Sequence, residues 1–456
     1  MSAVGQAAAL FDTIRGVDFF GRGGQPMPPD ADLDRVLREG AMLLPHAYEP
    51  AFVAPVRAGM PRLLALARQG RVRMSSVEIV AGSVYQHGAD WLMGAELRRL
   101  VAVVSNLYRS FLDSARRRAA GMPDLGQVLP PLAAFSHDGT DGPMTLAVDL
   151  IAAYLQGQVG VVALPATLAA HPVLWMALVH ETGGHDVTHA DAGLLDELAA
   201  GLPAVLAPFA GQTGLSDEQH IMVWARWLDE AVADTYALLN AGPAFAENLV
   251  VMLAAMGGNA TPMLRMDCGA DGRRLLDAHP ADILRLHVLL GAVATLEGLS
   301  GRVAAALRLR ELADAFGRGD RIGLSGALPD GPQRIIPFAA QGRREPLARA
   351  AEAVGHYIAT APLRALGNLS IQRIETWDDE DVRAVDTIRD ALAAGRPISR
   401  LGDDAQLLAA ASDAVMADAA AYDTVTAELN AALDESFRTD PIWSFEEPDR
   451  MYFRNL

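Results

Sequence analysis

Apolar residues recur at intervals of three and four positions through much of this 456-residue chain. This is the spacing of an α-helix that buries one face, whereas a half-buried strand alternates at every second residue. Stretches with the helical spacing cover residues 30–44, 94–120, 142–155 and 279–299, and alanine-rich ones reach about residue 433. The pattern predicts a mainly α protein, of the α+β kind with a small sheet.

Shorter signals frame the middle of the chain. The apolar run QVGVVALP at 158–165 stops at a proline and predicts a short buried strand. A helix is expected to begin at Pro172, because proline suits the first helical position. A second long helix is expected from Ser216, which forms a capping-box pattern with Gln219, to the Gly-Pro pair at 242–243. The glycine-rich segment 317–332 predicts a loop.

The composition excludes several classes of function. The formal net charge is −18, which argues against nucleic acid or an anionic membrane as a partner, since both select for basic surfaces. The sequence contains no lysine, so chemistry on a lysine amine, such as a pyridoxal Schiff base, is excluded. The single cysteine, Cys268, excludes an intrachain disulfide and cysteine-built zinc or iron–sulfur sites. Any metal would be held by histidines and carboxylates.

Two further patterns are missing from the sequence. There is no run of roughly 18 uninterrupted apolar residues, the length of a membrane span. The first 20 residues do not have the basic start and long apolar run of a signal peptide. We therefore expect a cytoplasmic protein, and the sequence does not predict its oligomeric state.

Histidines concentrate in LVHETGGHDVTHAD, residues 178–191, where three of the chain's 11 fall within ten positions. A catalytic zinc ion takes three protein ligands, commonly two histidines and a carboxylate, and a separate glutamate can act as the base. His180, Glu181 and His185 could supply part of such a site. The segment DEAVAD offers Glu230, with Asp234 four residues later on the same helical face.

The spacing of the first two histidines requires an irregular helix. His180 and His185 are five residues apart, and at about 100° per residue they would point about 140° apart on a regular helix. A π-bulge absorbs one extra residue. Gly183 and Gly184 lie inside this turn, where they weaken the regular helix and permit unusual backbone angles. A shared ion therefore predicts a bulged helix.

A second ligand set needs no bulge. Glu181, His185 and His189 are spaced four and four, so they share one face of a regular helix. With Glu230 and Asp234 they would form a carboxylate–histidine cluster, which suggests a di-iron or di-manganese oxygenase. The usual bundle motif for such sites is a pair of Glu-x-x-His segments, and this chain offers one misfit and no partner.

The motifs resemble those of one enzyme family. HETGGH fits the His-Glu-x-x-Gly-His motif of the dipeptidyl peptidase III zinc metallopeptidases, and DEAVAD is similar to their second motif, Glu-Glu-x-x-Ala-Glu/Asp, with an aspartate first. The resemblance covers residues 178–234. It implies that His180 and His185 bind zinc and that Glu181 activates water. It also implies Glu230 as the third ligand and Asp234 as the residue that orients a ligand histidine.

Other residues are weaker candidates. His189, Asp229 and Asp191 could contact a ligand or the substrate, or simply face water, and Asp186 is expected to be exposed. Tyr236 is expected in the core or at the rim of the site. An oxyanion donor is also required. The candidates for it, which are also ordinary caps and surface groups, are His279, Arg285, His287 and the pair His137 and Asp138.

These features predict a zinc-dependent hydrolase that cleaves peptide or amide bonds, with zinc as its cofactor. The strand at 158–165 is expected to be a sheet edge along which an extended peptide binds. A zinc-binding protein without peptidase activity stays open as an alternative, beside the di-metal oxygenase. We expect an N-terminal helical region at 1–130, a zinc-binding catalytic domain with a bulged active-site helix at 131–300, and a C-terminal helical region at 301–456.

Overall fold

The structure is a computed structural model of the chain. It describes residues 2–19, 33–87, 94–112, 114–123, 125, 128–136, 142–257, 261–269, 275–317, 319–328, 331–338 and 345–443. The predicted candidates His137 and Asp138 lie outside these residues, as does most of the C-terminal tail.

Helices make up most of the described chain, which confirms the mainly α prediction. The α-helices are α1 (Ala3–Ile14), α2 (Leu33–Ala41), α3 (Ala54–Arg68), α4 (Met74–Tyr85), α5 (Gly94–Leu112), α6 (Ser114–Ala119), α7 (Val148–Leu155), α8 (Thr188–Ala190), α9 (Leu194–Leu206), α10 (Asp217–Met256), α11 (Asp282–Val293), α12 (Arg302–Phe316), α13 (Pro346–Thr360), α14 (Ile371–Ile374), α15 (Asp379–Ala393), α16 (Asp404–Ala417) and α17 (Tyr422–Thr439). Two π-helices cover Glu49–Val53 and Val179–Val187, and we call the latter the histidine helix.

Two small sheets accompany the helices. The first contains β1 (Leu132–Ser136), β2 (Met144–Leu146) and β3 (Val161–Pro165) in the order β1-β3-β2, with β1 parallel and β2 antiparallel to β3. The second contains β4 (Asp267–Cys268), β5 (Arg321–Leu328) and β6 (Gly331–Pro337) in the order β4-β5-β6. The small-sheet part of the fold prediction is thus also confirmed.

Three local predictions are wrong. The segment 317–332 is not a loop but contributes β5 and the start of β6, whose cross-strand hydrogen bonds no local pattern shows. The helix predicted over 142–155 begins only at Val148, because its first residues pair with β3 as strand β2. The predicted edge strand, β3, is the central strand, since it has a partner on each side. Its full burial agrees with that position.

Helix α10 passes through the core and carries the second motif. It begins with the predicted capping box between Ser216 and Gln219. At Gly242 the backbone leaves the helical region, with φ 68° and ψ −167°, so the helix breaks where the sequence predicted its end and continues from Pro243. Among the described helices α10 has the length and hydropathy of a membrane span, but 94% of its apolar stretch is buried inside this structure. Such burial is that of a core helix.

The apolar core runs through all three predicted regions. From the first region, α1 packs against α10 and α5 packs against α17, and α16 from the last region packs against α10. The histidine helix lies between α5 and α10, which surround it with apolar side chains. The domain boundaries themselves stay a prediction.

Candidate metal centre

The histidine helix is a π-helix over nine residues, Val179–Val187, which confirms the predicted departure from regular α geometry. A π-helix joins residues i and i+5, as an α-helix joins i and i+4, so His180 and His185 share one face. It does not begin at Pro172, as predicted, because a 3₁₀ turn and a further turn precede it. The alternative ligand set of Glu181, His185 and His189 required a regular α-helix, so the π-helix rules it out. Among the described residues, Glu181 does not converge with His185 and His189.

Gly183 and Gly184 allow the histidine helix to pack directly on α10. A Cβ on Gly184 would lie 2.3 Å from the Cα of Ala233, and one on Gly183 would lie 2.3 Å from the ring of Tyr236. Neither glycine has a positive φ, so close approach and not an unusual backbone angle requires them. Tyr236 is completely buried, in agreement with the core role predicted for it.

Three side chains from these two helices converge on one point. Each of His180, His185 and Glu230 offers one ligand atom, and these atoms all lie within 4.8 Å of one another. Nε2 of His180 is 3.2 Å from one carboxylate oxygen of Glu230, and Nε2 of His185 is 3.6 Å from the other. Two atoms that bind one zinc ion tetrahedrally at about 2.1 Å lie roughly 3.4 Å apart, so each histidine–carboxylate separation is close to that of a shared zinc ion.

One buried atom of this cluster has no hydrogen bond within the described part of the chain. It is Oε2 of Glu230, because the neighbouring Nε2 of His180 stands outside hydrogen-bonding geometry. A buried carboxylate oxygen without a donor is costly unless something else compensates its charge. A cation bound by the two histidines would do so.

Asp234 and Arg285 hold one of these histidines from behind. Oδ1 of Asp234 is 2.9 Å from Nδ1 of His180, which leaves Nε2 facing the cluster. Arg285 donates two hydrogen bonds of 2.7 Å to the same carboxylate, and all three side chains are buried. The contact between Asp234 and a histidine ring is present as the resemblance implies, and its role toward a metal stays a prediction.

Glu181 contacts a residue that the sequence did not single out. The hydroxyl of Thr145 lies 2.8 Å from Oε2 of Glu181 and 2.9 Å from its backbone carbonyl. Thr145 belongs to β2, the edge strand of the first sheet. No local signal marks it, since it lies in a segment whose periodicity is helical.

A chain of polar contacts leads outward from His185. Its Nδ1 is 3.3 Å from Asp229, whose other oxygen is 3.1 Å from Nε2 of His189. The second nitrogen of His189 lies 2.9 Å from Asp149 at the start of α7. His185, His189 and Asp229 also form a second, less buried group with metal-binding spacing. Both weaker candidates thus lie beside the cluster.

The cluster and its neighbours concentrate carboxylates around the two histidines. Burial acts to lower the pKa of His185, but Glu230 and Asp229 outweigh it and raise that pKa to about 10. Burial acts to raise the pKa of Glu230, yet His279 and His185 hold that pKa well below the usual range of a glutamate. Carboxylates that retain protons on neighbouring imidazoles would also attract a divalent cation, which would displace those protons.

Two aspartates near the histidine helix, Asp186 and Asp191, are buried. Asp186 was expected to face water, but Gly160 and the start of α7 enclose it, and its Oδ1 accepts the N–H of Val148 at 3.0 Å. Burial raises its pKa to about 7. Asp191 forms a buried ion pair with Arg117 and does not reach the cluster. Both carboxylates tie the histidine helix and α8 to their neighbours.

The three downstream candidates for an oxyanion donor differ in their position relative to the cluster. His279 lies beside the cluster, with Nε2 3.2 Å from Glu230 and its side chain 49% exposed. Arg285 is committed to Asp234, and His287 pairs with Glu352 instead of lining the site. Of these three, His279 is therefore the exposed side chain that lines the cavity.

The cluster forms part of the wall of a cavity of about 510 Å³. Glu181, Thr145 and His279 line the same cavity, and so does an apolar face of α10. Comparison with known proteins adds no further constraint, since no family model, curated protein or solved structure matches this chain.

Proposed function

We propose that this chain is a zinc-dependent hydrolase that cleaves peptide or amide bonds. The observation that carries the proposal is the convergence of two imidazoles, His180 and His185, with the carboxylate of Glu230. Two histidines and a carboxylate form the protein ligand set of many catalytic zinc sites. Glu181, a carboxylate in the same cavity but outside that set, is the residue to which we assign the role of base.

Each of these side chains has a separate role in the proposed hydrolysis. Zinc held by these ligands would polarise the amide carbonyl and make a water molecule more acidic. Glu181 would take a proton from the attacking water and deliver it to the leaving amine. Because Thr145 donates to one oxygen of Glu181, the other oxygen can accept that proton. We assign the oxyanion contact to His279, which is exposed to the cavity.

The resemblance to the dipeptidyl peptidase III family supports the type of reaction and nothing narrower. It covers two motifs, so the proposal does not include release of dipeptides. We propose that the substrate is a peptide or another amide. We also propose that the reaction takes place in the cytoplasm.

Metal analysis and a single substitution test the proposal. We expect one zinc per chain and chelator-sensitive cleavage in a peptide-library digest. Glu181→Gln should retain stoichiometric zinc and lose hydrolysis, because it removes the base and leaves the ligands in place. Glu218→Gln is the matched control, since Glu218 is an exposed glutamate on α10 outside the cavity.

Several outcomes would contradict the scheme. Stoichiometric zinc without any cleavage would favour the zinc-binding protein that lacks peptidase activity. Two iron or manganese ions per chain would favour the oxygenase. Wild-type zinc affinity in a Glu230→Ala variant would remove Glu230 from the ligand set.

A further inference from the structure

Two distant parts of α10 line the same cavity. Glu230 lies in the first part, and four apolar residues, Leu249, Met252, Leu253 and Met256, lie in the second. On an unbroken helix residue 249 would stand about 28 Å along the axis from residue 230. Instead, α10 is kinked at Gly242, where φ and ψ are not helical. This kink lets both parts of α10 line one cavity.

Gly242 makes this break possible. Its φ of 68° is favourable for glycine, and a Cβ at this position would lie 2.5 Å from the ring of Trp377. Pro243 then begins the second part of α10, where a missing N–H is not needed. The direction of the second part is thus set by a close contact with a buried tryptophan.

The four residues form one continuous apolar strip. Their spacing of three, one and three places them on the same face of the helix. Leu249, Leu253 and Met252 expose only 2%, 4% and 7% of their surface, so they form a wall that solvent barely reaches. A methionine within such a wall adapts to side chains of different shape.

We propose that this strip is the subsite for a large apolar side chain next to the bond that is cleaved. The substrate class is then peptides or amides with leucine, methionine or phenylalanine beside that bond. This inference rests on the proposed function. The occupant is identified as part of the substrate because the strip lines the same cavity as the proposed metal ligands. A substrate with glycine or a charged residue at that position would bury no apolar side chain against the strip. It would therefore lose this contribution to binding.

A matched pair of substitutions tests the subsite. Met252→Glu puts a carboxylate into the wall, and Met222→Glu makes the same change at an exposed methionine of the same helix. We would measure kcat/KM for fluorogenic peptides that differ only in the residue beside the cleaved bond. For wild type and Met222→Glu we expect leucine or phenylalanine to exceed glycine or aspartate by at least about tenfold. Met252→Glu should abolish that preference and leave zinc content unchanged.

Two additional measurements keep the test decisive. Met256→Arg changes the more exposed end of the strip, so it answers the question if Met252→Glu does not fold. Calorimetric binding of a leucine-containing and a glycine-containing peptide to zinc-loaded Glu181→Gln reports recognition without cleavage.

The outcomes separate this inference from the proposed function. Cleavage without an apolar preference, or with a preference that Met252→Glu and Met256→Arg leave intact, overturns the subsite alone. Absence of cleavage together with binding that favours leucine and is lost in Met252→Glu supports the strip as an apolar-side-chain site and overturns the hydrolase. Equal binding of both peptides overturns the subsite in either case.

Discussion

Single hydrogen bonds fix the polar side chains around the candidate metal centre. Asp234 contacts the rear nitrogen of His180, and Thr145 contacts the carboxylate of Glu181. Each partner lies on a different element from the residue that it holds. Such contacts orient ligands and bases, and their loss typically costs 10- to 100-fold in metal affinity or activity.

Thr145→Val should lower kcat for peptide hydrolysis by about 10- to 100-fold, since valine keeps the shape of threonine but cannot donate to Glu181. Zinc affinity and KM should change little, because the ligands and the apolar strip are untouched. Thr145→Ser retains the hydroxyl and should restore most of kcat. Steady-state kinetics with parallel zinc titration would check this. A serine variant as slow as the valine variant would argue against positioning by the hydroxyl.

At the scale of elements, the decisive contact is between the histidine helix and α10. The two helices carry the proposed ligands, and the glycine pair at 183–184 lets them approach to direct backbone contact. A π-helix is rare and is frequently found at functional sites. Its persistence here depends on the packing around it, which α5 and α10 provide.

Gly184→Ala should lower the free energy of unfolding by about 1–3 kcal/mol, because the added Cβ collides with the backbone of Ala233. The separation of the two helices would also move Glu230 away from the histidines, so zinc affinity should fall by at least about tenfold. Gly16→Ala is the control, since nothing lies within 4 Å of the added atom there. Denaturant unfolding and competitive zinc titration measure both effects. Wild-type zinc affinity in Gly184→Ala would exclude a role for this close approach.

At the scale of the whole molecule, a titratable carboxyl is also buried outside the candidate site. Asp404, at the start of α16, is buried and accepts a hydrogen bond from Ser436 of α17. Burial raises its pKa to about 7, against the opposing effect of the serine hydroxyl. A carboxyl with a raised pKa holds its proton more tightly in the folded protein than in the unfolded one.

The raised pKa of Asp404 makes its contribution to the free energy of unfolding depend on pH. The contribution of Asp404 to stability is full below its unfolded pKa, near 4, and is lost as the pH rises to about 7. The limiting slope is about 1.4 kcal/mol per pH unit. Asp404→Asn removes this titration, so its stability relative to wild type should improve between pH 4 and pH 7 and then stay level. Urea unfolding with chelator present, with Asp12→Asn as an exposed control, measures the difference. A stability difference that is independent of pH would contradict the buried titration.

Local patterns in the sequence determined much of this protein. The five-residue spacing of His180 and His185 required an irregular helix, and the Gly-Pro pair at 242–243 marked the break in α10. These features depend on neighbours a few positions away, where helical periodicity and backbone preferences act. The mainly α fold follows from the same periodicity, repeated along the chain.

Contacts between distant positions were decided only by the tertiary structure. Glu181 meets Thr145 across 36 residues, and Asp234 meets Arg285 across 51. The pairing of β2 with β3, the hairpin of β5 and β6, and the burial of Asp186 also depend on partners that no local pattern identifies. Hydrophobic periodicity shows that a face is buried but not which element covers it, because apolar burial is not directional. The sequence therefore determined which residues could bind a metal, and packing decided what holds them and what lines the cavity beside them.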